Sequence, residues 1–208
     1  MHCVSTKHGH EMTLFNNKYR VETTRVKTWN YNSEALYFIT ICTNNKEHFF
    51  GEIQNGEMIL NDIGVIVQSE WLQTPDIRPD MNISLDEFVV MPNHFHAIIS
   101  IGENEFNLNN FNDGHKLLSL AAGAKLSAYL LNEGEATNKF GPQSKNLGAI
   151  VRGFKSSVSK ITRRLIGHFC WQERYHDHII RNQEAYLHIQ QYILNNPANW
   201  QQDKFYSG

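Results

Sequence analysis

Histidine, tyrosine and asparagine recur at spacings suited to metal and phosphate chemistry in three places along the chain. The first is Pro92-Asn93-His94-Phe95-His96-Ala97-Ile98-Ile99. On a strand, residues two apart share a face, so His94 and His96 project together while Phe95, Ala97 and Ile99 point the other way. Two adjacent imidazoles suit two-point capture of a metal ion. The plainer reading is a pair of solvated surface histidines, and 11 histidines in the chain make chance pairs common. The apolar strand argues against it, because two polar rings in that setting need partners. The second place is Tyr175-His176-Asp177-His178, ahead of a predicted helix and so on a loop or short strand. Tyr175, His176 and His178 are possible accessory groups there; the alternative is a structural role bonding the backbone. The third is Gln191-Tyr192-Ile193-Leu194-Asn195-Asn196-Pro197. On a helix, Tyr192 and Asn196 lie one turn apart on one face, so a phenol and an amide can meet the same metal or phosphate. The competing reading is a core or rim tyrosine and a helix-end asparagine before proline.

A fourth feature is a run of charge. Between Arg152 and Arg164 stand Arg152, Lys155, Lys160, Arg163 and Arg164 with no acidic residue among them. A positive helix face of this kind tracks a phosphate backbone. A merely solvated face usually mixes both signs. The segment 141–182 holds eight basic and two acidic residues, a balance of +6, so the remainder of a chain with net charge −2 carries −8. The near-neutral total excludes a polycationic coat protein and leaves nucleic-acid binding open.

These groups need elements to hold them. The 208 residues, 41% hydrophobic and 19% charged, suffice for one domain with its own core. Leu36–Thr43 reads as a core strand. Phe49–Ile53 and Glu57–Leu60 flank Gln54-Asn55-Gly56, a hairpin signal. Asn61-Asp62 caps a helix running to about Gln73, with Ile63, Ile66, Val67 and Trp71 on one face. Ile83–Met91 and His94–Ile101 are two strands, antiparallel across Pro92-Asn93. Leu147–Leu165 is a helix with Ile150, Phe154, Val158, Ile161 and Leu165 at helical spacing. A last helix spans about Asn182–Asn195, and Pro197 stops it. The expected division is a polar leader over 1–30, one catalytic domain over 31–200 with an insertion at 102–146, and a tail over 201–208. The expected fold class is α+β, an antiparallel sheet flanked by helices. Three scattered cysteines, Cys3, Cys42 and Cys170, make no disulfide framework and point to a reducing compartment. No signal-peptide core is seen, and the most apolar stretch, Leu117–Leu131, is short of a membrane span. The expectation is a cytoplasmic protein with no membrane partner.

Taken together, the motifs resemble those of the single-tyrosine HUH transposases, in the branch called REP-associated tyrosine transposases. The similar segments are Tyr37–Thr43, Val89–Ile99 with its His94-Phe95-His96, Gly153–Val158, Trp171–Asn182 and Tyr192–Pro197, covering about 19–103 and 146–200 in the family's order. The resemblance implies a ferredoxin- or RRM-like nuclease fold. It implies His94 and His96 as metal ligands, Asn196 as the third ligand and Tyr192 as nucleophile. The implied cofactor is a divalent metal, Mg²⁺ or Mn²⁺. The implied activity is nicking and joining of single-stranded or hairpin DNA through a 5′-phosphotyrosine, by a monomer or a homodimer. Arg152, Lys155, Lys160, Arg163 and Arg164 are the expected DNA contacts.

Three other readings compete. A histidine-triad nucleotide hydrolase needs a third histidine where Ile98 stands. A zinc hydrolase would use His94, His96 and His176 or His178. A non-catalytic DNA-binding module would keep the fold without the chemistry.

Overall fold

A computed structural model describes residues 13–15, 18–20, 29–31, 33–107 and 145–206. Leu117–Leu131 and most of the expected insertion lie outside them. Within the expected leader, β1 (Thr13–Phe15) and β2 (Lys18–Arg20) form an antiparallel pair.

The main sheet has four antiparallel strands: β3 (Ala35–Cys42), β6 (Ile83–Met91), β7 (His94–Ile101) and β8 (His176–Ile180), in the order β6-β7-β3-β8. Between β3 and β6 stands a separate hairpin, β4 (Gly51–Gln54) with β5 (Glu57–Leu60). Its turn residues Asn55 and Gly56 both have positive φ, 54° and 80°, the twist that joins two strands through two residues. Helix α1 (Asp62–Leu72) follows, its first turn closed by Asn61 Oδ1, which accepts from the amides of Ile63 and Gly64 at 3.0 Å each. The chain does not stop at Thr74-Pro75 but makes one more turn, α2 (Thr74–Ile77), because proline is well tolerated at a helix start. Helix α3 (Leu147–Ile166) ends on Gly167, whose φ of 75° suits the left-handed cap. Helix α4 (Gln183–Asn195) starts on Asn182, whose Oδ1 accepts from the Ala185 amide at 2.7 Å.

The alternation of β3 and β7 divides the protein. Tyr37, Ile39 and Ile41 of β3 with Phe95, Ala97 and Ile99 of β7 face the main core, beneath α1 and α3. Trp71 of α1 is its hub, edge-on to Phe95 and Phe154 at 5.0 and 5.3 Å. The other face holds a smaller cluster of Leu36, Ile98, Ile180 and Ile193, covered by α4. β7 is buried on both sides along its whole length, which accounts for the unbroken apolar run around its two histidines.

The helix pattern holds for Ile150, Phe154 and Val158, which are buried, and fails at Leu165, which is exposed. Val151 and Thr162 are buried instead. Leu165 and Ile166 in the last turn of α3 are both exposed, so periodicity there faces no core.

Candidate metal and tyrosine site

His94 and His96 project from β7 on the α4 face, as the strand period requires, with their rings 4.5 Å apart. Each is held by its other nitrogen. His94 Nδ1 lies 2.9 Å from Asn93 Oδ1 and donates to it. His96 Nδ1 lies 2.8 Å from Thr40 Oγ1, directly across the β3–β7 pairing. Partners of this kind fix ring orientation and leave Nε2 for a ligand. Both rings are essentially inaccessible, 0% and 1% exposed. Burial pushes His94 down to about 4, and burial together with its neighbour His94 holds His96 well below the usual histidine range. Both are therefore neutral near pH 7, the form that binds metal.

Helix α4 places Tyr192 and Asn196 above them. The Tyr192 hydroxyl is 3.2 Å from His96 Nε2 and donates to Asp203 Oδ2 at 3.1 Å. Asn196 Nδ2 donates to the same carboxylate oxygen at 2.8 Å. Burial first, and the Asp203 charge second, hold the Tyr192 phenol well above the usual tyrosine range. In this arrangement the phenol keeps its proton.

Asp203 lies in the segment expected to be a tail. It follows the short turn Trp200–Gln202, and its ligand oxygen lies within 4.8 Å of the His94 and His96 ligand nitrogens. No periodicity links it to the histidines, because the chain between Pro197 and Asp203 is not regular helix or strand. The same segment roofs the site. Phe205 stands 4.7 Å from the His94 ring, and Trp200 stands 5.8 Å from it. Asn93 Nδ2 donates to Phe205 O, and Lys46 Nζ to Lys204 O.

The residues fit a divalent cation. His94 Nε2 and Asn196 Oδ1 are buried and have no hydrogen-bond partner among the described residues. Two such lone pairs beside a carboxylate and a second imidazole make a mixed nitrogen and oxygen donor set.

The other expected site residues lie elsewhere. Helix α3 packs on the opposite face of the sheet, so Arg152, Lys155, Lys160, Arg163 and Arg164 are separated from Tyr192 by the sheet itself. Lys155 is no open phosphate contact: its ammonium donates to Gln172 O at 2.6 Å, and burial lowers it to about 8. Arg163 Nε donates to Phe169 O. Arg152, Lys160 and Arg164 are exposed. Tyr175 packs against the main core. His176 and His178 pair in register with Thr40 and Phe38, so they share the histidine face but stand at the sheet edge, exposed. Two strand spacings, about 10 Å, separate them from β7. That distance removes the zinc reading in which either would join His94 and His96 around one ion.

No protein-family model matches the chain. A Haemophilus influenzae protein described as uncharacterized is 42% identical over 183 residues, 88% of this chain and 91% of that protein. The solved structure of a REP-associated tyrosine transposase bound to a REP hairpin superposes on 88% of this chain and 77% of its own, with a TM-score of 0.51 and 17% identity. With its four-stranded antiparallel sheet flanked by helices the chain has the fold of that transposase, and it belongs to the same family as the Haemophilus influenzae protein.

Proposed function

We propose that the chain is a metal-dependent endonuclease and strand transferase for single-stranded DNA, with Tyr192 as its nucleophile. One observation carries the reading: the Tyr192 hydroxyl rests on His96 Nε2 while the buried lone pairs of His94 Nε2 and Asn196 Oδ1 stand beside it without a partner among the described residues. A tyrosine serving only as a rim residue does not explain two unsatisfied ligand atoms beside it. The likeness to a transposase bound to a REP hairpin supports DNA as the substrate class.

His94, His96, Asn196 and Asp203 would hold the cation, Mn²⁺ or Mg²⁺. When bound, it neutralises phosphate charge and orients the scissile group. The chain's own residues do the rest. Tyr192 Oη attacks phosphorus, the new O–P bond forms, and the P–O3′ bond breaks to give a 5′-phosphotyrosine and a free 3′-hydroxyl. The phenol proton passes to Asp203, which already accepts its hydrogen bond, and the leaving 3′-oxygen takes up a proton from solvent. The covalent link retains the phosphodiester energy, so joining needs no nucleotide. The contact of Tyr192 with His96 within one chain favours a site built by one subunit over one shared between two.

The test is a denaturing gel of labelled hairpin oligonucleotides incubated with Mn²⁺. Wild type forms a protein-linked band, Tyr175→Phe keeps it, and Tyr192→Phe loses it. An adduct surviving in Tyr192→Phe removes the nucleophile assignment. DNA retention without any adduct in wild type favours the non-catalytic binding module. In calorimetry, Asp203→Asn weakens Mn²⁺ binding about tenfold or more, as expected for loss of a charged ligand.

A further inference from the structure

Two directions lead away from Tyr192 along the histidine face of the sheet. Toward β6 the face is closed. Tyr186 and Ile189 of α4 pack there against the smaller core, and the Tyr186 hydroxyl donates to Asp86 Oδ2 at 2.9 Å. That edge is also acidic: a bulge between Leu85 and Phe88 carries Asp86 and Glu87. A polyanion is repelled from it.

Toward β8 the face is open among the described residues. Phe38 is half-buried, 5.3 Å from the His96 ring and edge-on to Tyr192 at 6.1 Å. Next to it, His178 and His176 stand exposed on the same face. Arg181, immediately after β8, turns to the other face, its guanidinium 5.8 Å over the ring of Trp29, which packs on the main core. Stacking rings in a row beside the tyrosine are what unpaired bases require.

We propose that a single-stranded DNA segment reaches Tyr192 across the β8 edge, its bases stacking along Phe38, His178 and His176. The contrast between an exposed edge lined with rings and an acidic, covered one selects this occupant and this direction. The inference rests on the reading of Tyr192 as a nucleophile for DNA, and adds the path by which the substrate arrives. It also gives His176 and His178 a function other than metal binding.

The experiment compares hairpin oligonucleotides with and without randomised unpaired tails, by fluorescence anisotropy. The variant His176→Ala/His178→Ala alters exposed side chains, and circular dichroism with a thermal melt establishes its fold. Its affinity for tailed hairpins falls about tenfold or more, while its affinity for tailless hairpins stays within about twofold of wild type. Glu87→Gln, on the opposite edge, leaves tailed-hairpin affinity within about twofold. A second readout uses 4-thiothymidine in the tail: ultraviolet crosslinks map to the peptide 174–181. Equal affinity of wild type and double variant for tailed hairpins, or crosslinks confined to 83–89, overturns the path while leaving the nucleophile standing. A wild type that holds no DNA of either kind overturns the nuclease reading and the path together.

Discussion

Tyr192 has one proton and two acceptors within reach, Asp203 Oδ2 and His96 Nε2. If it gives the proton to Asp203, His96 must carry hydrogen on Nε2 and accept from Thr40 Oγ1 on Nδ1. Metal binding demands the other tautomer, with Nδ1–H donating to Thr40. A hydroxyl can serve either way, so Thr40 is suited to both states, as a carbonyl would not be. The buried imidazoles also set an acid response. His94 lies at about 4 in the folded protein, against an ordinary 6.5, and His96 is depressed as well. Below pH 6.5 the unfolded chain binds protons that the folded chain refuses, so stability falls as pH drops from about 6.5 to about 4. The slope reaches about 1.4 kcal/mol per pH unit for each histidine, measurable by urea denaturation across that range. At this scale the sequence was legible where a period was present: two residues apart for His94 and His96, four apart for Tyr192 and Asn196. Asp203 was not, since only the irregular path of the chain after Pro197 brings it back to the histidines.

Three asparagines, Asn61, Asn146 and Asn182, start helices α1, α3 and α4 by accepting from first-turn amides. Such caps, with the β-branched strands and the Asn55-Gly56 turn, made most elements readable. The sheet face to which each helix goes was not readable. The amphipathicity of α3 says which of its sides is buried, but either face of the sheet is apolar enough to receive it. Hence nothing in the pattern announces that the basic helix and the tyrosine helix lie in two layers separated by the sheet. The basic residues of α3 also divide by role. Lys155→Ala should lower stability by about 1–2 kcal/mol through loss of its bonds to the 172–173 carbonyls, and leave the salt dependence of DNA binding unchanged. Arg164→Ala should do the reverse, preserving the melting temperature and reducing the salt slope by about one unit. Paired melting curves and salt titrations separate them.

Over the whole molecule, the net charge of −2 averages a +6 segment and a −8 remainder, and the structure spreads the positive segment over α3, β8 and the turn between them. A few phosphates, rather than a long duplex, match that surface. If about four are neutralised, the logarithm of the binding constant should fall with the logarithm of salt at a slope near −3, as expected for single strands; anisotropy from low to physiological salt measures it. A slope near zero would place the basic segment outside the interface.

The sheet also stands as a partition between α3 and Tyr192. On the proposed reading, a hairpin stem held against α3 can deliver its unpaired strand to the tyrosine only by rounding the β8 edge. The helix-on-sheet layer, on the order of 10 Å thick, then works as a ruler. The broken bond falls at a fixed contour length from the foot of the stem, whatever bases lie between. Substrates with shorter arms are held and left intact, and in longer ones the cut keeps its distance from the stem.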